Sequence, residues 1–151
     1  MRTPNSSQSR PTAEYLYVAN EDAGTAVALD LSTGKTLATF VVGTEPEGVA
    51  INPNGQWAYV TAETSNSVSV IDTKKDSVVS SFLVDVRPRA VAWAPDGARV
   101  YVANGRSGHV SILDARTLRD VGVVTVGRGA DLLTATGARG QRRGIRGKAG
   151  R

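Results

Sequence analysis

Short runs of β-branched and aromatic residues, each closed by turn chemistry, fill the middle of the chain. Ser67-Val68-Ser69-Val70 alternates polar and apolar with period two, the pattern of a strand with one buried face. Four kinds of strand are predicted. The first is Gly48–Asn52, with Ala90–Ala94 as its counterpart. The second is Trp57–Thr61, matched by Tyr15–Ala19 and Val100–Ala103. The third is Ser67–Asp72, matched by Thr25–Asp30 and His109–Asp114. The fourth is Val78–Val84, matched by Thr36–Val42 and Val121–Val126. Most are rich in Val, Ile, Tyr and Thr, which fit a pleated, half-buried surface. Asn52-Pro53-Asn54-Gly55 and Ala94-Pro95-Asp96-Gly97 are tight turns, with Pro presetting φ and Gly accepting a positive one. No sustained helical spacing of apolar residues is present.

These strands recur on a ruler. Tyr17-Val18-Ala19-Asn20 returns as Tyr59-Val60-Thr61-Ala62 and as Tyr101-Val102-Ala103-Asn104, each time 42 residues on. Asp30, Asp72 and Asp114 share that spacing, as do Val42, Val84 and Val126, and the pairs Pro46 with Pro88 and Gly55 with Gly97. Four antiparallel strands per unit of about 40–45 residues is the signature of a propeller blade. The fold class is therefore all-β: about three four-stranded blades of an incomplete β-propeller ring. Propellers typically close with about 4–8 blades, so the chain reads as part of a longer propeller, or as a unit that self-associates to cover its open blade faces.

Three regions follow: a polar lead-in over residues 1–14, the repeats over 15–127, and a Gly/Arg-rich tail over 128–151, with lead-in and tail expected to be disordered. The formal charge is +4, but the tail alone carries seven basic residues and one acid, Asp131. The repeat region is close to neutral. The tail fits three readings: an arginine-glycine arm for nucleic acid, a solvated terminus, or an out-of-frame translation. It lacks the aromatics on which single-stranded bases stack, so nucleic acid is a disfavoured partner. There are no cysteines, hence no disulfide framework or Cys-based zinc site. No apolar run reaches membrane-spanning length, and the lead-in has no signal-type apolar core, which points to the cytoplasm by default.

The repeat resembles the YVTN family of β-propellers. The motifs that carry the likeness are YVAN at Tyr101–Asn104, SVSVID at Ser67–Asp72, GTEPEGVAINPNG at Gly43–Gly55 and APDG at Ala94–Gly97. The stretch from Val41 to Pro95 is similar to the branch associated with pyrroloquinoline-quinone-dependent catabolism. The resemblance implies a seven-bladed ring, often exported, with a binding or scaffold role rather than a defined reaction.

Most residues that look chemical recur in every blade and so read as structural. Asp30, Asp72 and Asp114 read as turn-forming carboxylates, and Tyr17, Tyr59 and Tyr101 as packing residues. His109, the one histidine, reads as an exposed strand residue. No catalytic set, metal set or cofactor motif is present, and neither cofactor nor metal is expected. What breaks the ruler is a charge swap. Glu45 and Glu47 flank Pro46, whereas Arg87 and Arg89 flank Pro88. Both loops lead from the last strand of one blade to the first of the next, which puts them on one propeller face. There they either pair with each other or offer charge to a protein or small polar ligand. The reading is a non-enzymatic binding or scaffold module with Glu45, Glu47, Arg87 and Arg89 as ligand contacts. The alternative is part of a propeller enzyme, lactonase-like or partner to a quinone-linked dehydrogenase.

Overall fold

A computed structural model describes residues 14–117 and 119–136. The described chain is β throughout, with no helix. Strands β1 (Tyr15–Asn20), β2 (Thr25–Asp30) and β3 (Thr36–Val41) form a three-stranded antiparallel sheet. Strands β4 (Pro46–Ile51), β5 (Trp57–Ala62), β6 (Ser67–Asp72) and β7 (Ser77–Leu83) form the second sheet in consecutive order. Strands β8 (Pro88–Trp93), β9 (Arg99–Asn104), β10 (His109–Asp114) and β11 (Asp120–Thr125) form the third. We call these sheets blades one, two and three. They leave an open ring, as the sequence predicts.

The ruler is kept to the level of backbone irregularity. The pairing of the third strand with the fourth shifts register after Ala28, Val70 and Ile112, one position in all three blades. Each first strand begins on its proline, Pro46 or Pro88, two residues earlier than the sequence indicates. A proline gives no ladder hydrogen bond and so suits the first residue of a strand.

Blade two lies between the other two, and its middle strands β5 and β6 are buried on both faces. Ala58, Val60 and Ile71 pack toward blade one with Ala26, Ala28, Phe40 and Val42. Tyr59, Val68 and Val70 pack toward blade three with Val91, Trp93, Val100, Val102 and Leu113. The expectation that Ser67–Val70 has one buried face therefore needs correction, because its serines are buried as well. Blade one covers them, and Ser69 Oγ donates to the Val42 carbonyl at 3.1 Å. A buried hydroxyl with a partner is tolerated where one without would be costly.

The first strands approach closely where the blades converge. A Cβ on Gly48 of β4 would lie 2.7 Å from the Arg89 carbonyl oxygen of β8. Glycine is required there so that two backbones can pass, and the Gly48 amide is satisfied by Thr61 Oγ1 at 2.8 Å.

Beyond Gly127 one backbone feature of the repeat recurs. Gly129 occupies the position of Glu45 and Arg87, and all three have positive φ, at 83°, 55° and 59°. Asp131 occupies the position of Glu47 and Arg89. Leu133 to Thr136 border a cleft with Tyr101 and Val110, much as Trp93 meets Tyr59 one blade earlier. The segment 129–136 forms no strand, but its last four residues lie beside Tyr101 and Val110 of blade three. The rest of the tail, and the lead-in up to residue 13, lie outside the described residues.

Candidate functional site

Each blade has two ends. At one, the second and third strands are joined by loops at 20–25, 62–67 and 104–109, and the connections between blades enter at 41–46, 83–88 and 125–130. We call this end the mouth. At the other end lie the turns carrying Asp30, Asp72 and Asp114.

That second end is architectural. Asp30 Oδ1 accepts the Ser32 amide at 2.8 Å, Asp72 Oδ1 the Lys74 amide at 2.9 Å and Asp114 Oδ1 the Arg116 amide at 2.9 Å. These are Asx turns, which is the role read from their spacing. The side-chain and amide hydrogen bonds of Ser32 hold the Asp30 carboxyl below its ordinary pKa. Amides of Thr117 and Arg116 do the same for Asp114.

The mouth is where the repeats diverge, and all four residues of the charge swap stand there. Glu47 and Arg89 meet, with Arg89 Nη2 3.4 Å from Glu47 Oε1. Glu45 and Arg87 do not. Glu45 instead accepts the Thr64 hydroxyl, and Arg87 Nε donates to Glu63 Oε1 at 2.5 Å. Glu63 also takes Arg89, whose Nε lies 3.1 Å from Oε2. One carboxylate therefore anchors both arginines, and its side chain is only 6% exposed. Charge-assisted pairing of this kind is what makes a buried carboxylate tolerable.

The sequence reading missed Glu63 and left Asp131 to the tail. Asp131 Oδ2 lies 3.7 Å from Arg89 Nη1. Glu47, Arg89 and Asp131 are spaced by 42 residues, so the charge alternates in sign across three equivalent positions with arginine in the centre. Three consecutive residues from each of these positions line an open cleft of about 390 Å³, namely 47–49, 89–91 and 131–133. The ruler applied to charge rather than to apolar residues is the signal that finds Asp131. For Glu63 the signal is fainter: its equivalents are Glu21 and Gly105, so the acid disappears only in blade three.

His109 is not a lone strand residue. Its Nδ1 lies 2.9 Å from Asp85 Oδ2, on the connection from blade two to blade three. The Ser107 hydroxyl first, and His109 next, hold the Asp85 carboxyl below its usual range. Asp85 also accepts the Val86 amide at 2.8 Å, so the pair fastens the connecting loop. Among the described residues, no group of three His, Cys, Asp or Glu is placed to hold a metal ion. No helix among them is long and apolar enough to cross a membrane.

Known proteins agree with this architecture. In solved structures the chain is similar to hydrazine synthase of Kuenenia stuttgartiensis, with 25% identity and a TM-score of 0.74 over 77% of this chain and 34% of that one. It is similar to apo AztD from Citrobacter koseri, with 19% identity and a TM-score of 0.65 over 75% of this chain and 32% of that one. It is also similar to the dihydro-heme d1 dehydrogenase NirN, with 21% identity and a TM-score of 0.66 over 82% of this chain and 28% of that one. The chain thus spans about a third of the length of each. No curated protein matches it. The family model for the lactonase with a 7-bladed beta-propeller matches residues 6–120, and on that match, with three blades in register, the chain belongs to the seven-bladed β-propeller lactonase family.

Proposed function

We propose that the chain is a non-enzymatic binding and scaffold module whose mouth loops contact a small polar ligand or a protein partner through Glu45, Glu47, Arg87 and Arg89. The observation that carries this reading is conformational. Glu45 and Arg87 hold positive φ in equivalent loops, where the third copy has Gly129. A side chain in that region costs about 1–2 kcal/mol relative to glycine. Charged residues kept at a position that glycine fills more easily indicate use of the side chain. The open cleft beside Glu47 and Arg89 supplies the space.

Thermal-shift titration with small carboxylates, phosphates, amines and sugars tests the reading. A compound that raises the melting temperature of the parent chain but not of the Arg87→Ala/Arg89→Ala variant is the expected result. Equal shifts in both proteins sink it.

Family membership favours a second reading, lactone hydrolysis. The family's activity belongs to whole propellers, and this chain holds three blades. Hydrolysis of simple γ- and δ-lactones by the purified chain, abolished by Arg89→Ala, would replace the binding reading. The outward faces of blades one and three, with Leu16 and Val124 exposed, are proposed to meet another protein surface or a second copy.

A further inference from the structure

We propose that a second recess at the blade-three end of the mouth, adjoining the first cleft through Arg89 and Asp131, binds a small ligand carrying two or more oxyanion groups, carboxylate or phosphate. The inference rests on the reading of the mouth as the ligand-binding end and names the chemistry of its most basic part.

The recess has a volume of about 310 Å³ and brings together Arg87, Arg89, Arg106 and Arg128, with Asp131 as its one acidic lining residue. A volume near 300 Å³ stands at the small end of ligand sites, which suits a compact anion. Arg87 and Arg89 are already held from beneath by the buried Glu63. Arg106 and Arg128 have no ion-pair partner among the described residues. The recess therefore contains two oriented guanidiniums and two uncompensated ones. Planar guanidinium forks match carboxylate and phosphate oxygens, and a dianion would relieve the repulsion among them.

The repeat shows how this recess came to differ from its predecessor. Where blade two carries Glu63 and Thr64, blade three carries Gly105 and Arg106. Where the earlier connections carry Thr44 and Val86, the third carries Arg128. At equivalent backbone positions one acid has gone and two bases have come. Glycine lets Asp131 and Arg89 close in at this turn: a Cβ on Gly105 would stand 2.6 Å from Asp131 Oδ1 and 3.5 Å from Arg89 Cδ. In blade one the same turn reads Glu21-Asp22, so the mouth grades from acidic to basic across three blades, and an anion is steered to one end of it.

Isothermal titration at low ionic strength with pyrophosphate and with citrate tests the assignment, using the full chain and an Arg106→Ala/Arg128→Ala variant. Both substitutions are at exposed loop positions, and the variant's melting curve serves as the folding control. Binding of one or both anions, weakened by about tenfold or more in the variant and by added salt, is the expected result. The ranking of citrate against pyrophosphate separates a carboxylate ligand from a phosphate one. Failure of both anions to bind, or binding unchanged in the variant, overturns the inference. If amines or sugars bind the mouth while both anions fail, the general ligand-binding reading stands and this one alone falls.

Discussion

The two contacts between blades use equivalent positions and fill them differently. Between blades one and two three alanines, Ala26, Ala28 and Ala58, pack among Val42, Val60 and Ile71, with Tyr17 and Phe40 of blade one stacked at 6.2 Å between ring centroids. Between blades two and three, Tyr59 meets Trp93 edge to face at 4.7 Å and Phe82 at 6.1 Å. The mouth above each contact diverges in parallel. The first is acidic, with Glu21, Asp22, Glu45 and Glu47; the second carries Arg87, Arg89 and Arg106. The 42-residue period thus dictates where side chains point and how strands pair. What each contact is worth, and what its mouth can bind, is decided by the residues placed on that frame.

Truncating the tyrosine at each contact gives the largest expected contrast. Tyr59 is 1% exposed and bridges Phe82 and Trp93, so Tyr59→Ala leaves a cavity and costs about 3–5 kcal/mol. Tyr17 is only half-buried, and Tyr17→Ala is expected to cost about 1–2 kcal/mol. Urea unfolding of the two variants measures the difference. Equal losses would mean that the two contacts are energetically alike despite their composition.

Alkaline titration follows in size. Burial, and then the charge of Asp114, push the Tyr59 phenol from 10.0 to about 12. Below pH 10 both folded and unfolded chains keep the proton. Above it the unfolded chain releases its proton first, the folded state binds more protons, and stability falls as pH rises to about 12. A shift of about two units corresponds to about 2–3 kcal/mol. Tyr59→Phe should remove that part of the slope with little loss at neutral pH; an unchanged slope would place its origin elsewhere, Tyr17 included, since burial raises its pKa too.

How much of this was legible beforehand varies with the range of the interaction. The strands, the Asx turns and the blade count follow from local alternation, Pro-x-Gly turns and the period, because each depends on residues close in sequence. The Pro46 and Pro88 loops locate the mouth, and pairing of their opposite charges is one of the two readings they allow; the Glu63 anchor is in neither. Arg87 reaches Glu63 across 24 residues and Arg89 reaches Glu47 across 42. Such partners are set by how one blade leans on the next, which no local pattern encodes. Asp131 was hidden for a different reason: the apolar pattern around it fails even though its register does not. Burial of both faces of β6 likewise depends on having neighbours on each side, not on the strand's own alternation.

Glu63 separates the two mouths most directly. Glu63→Ala removes the shared anchor of two partly exposed arginines, and solvent limits the cost to about 1–2 kcal/mol. The sharper readout is salt: the parent should lose stability as ionic strength rises, and the variant should gain it, because screening then relieves the unanchored Arg87, Arg89 and Arg106 cluster. The same salt response in both proteins would show that Glu63 is not the residue balancing those charges.

The smallest expected effect belongs to the Glu47–Arg89 pair. Glu47 and Arg89 stand 3.4 Å apart and are both partly solvated, and Arg89 already shares Glu63 and approaches Asp131. A double-mutant cycle with Glu47→Ala and Arg89→Ala should give a coupling of at most about 1 kcal/mol. A small coupling means that this contact does little to hold the blades together, leaving the cleft beside it open to compete for either side chain. A coupling of several kcal/mol would instead make the charge swap a structural clasp, and the case for Glu47 and Arg89 as ligand contacts would fail with it.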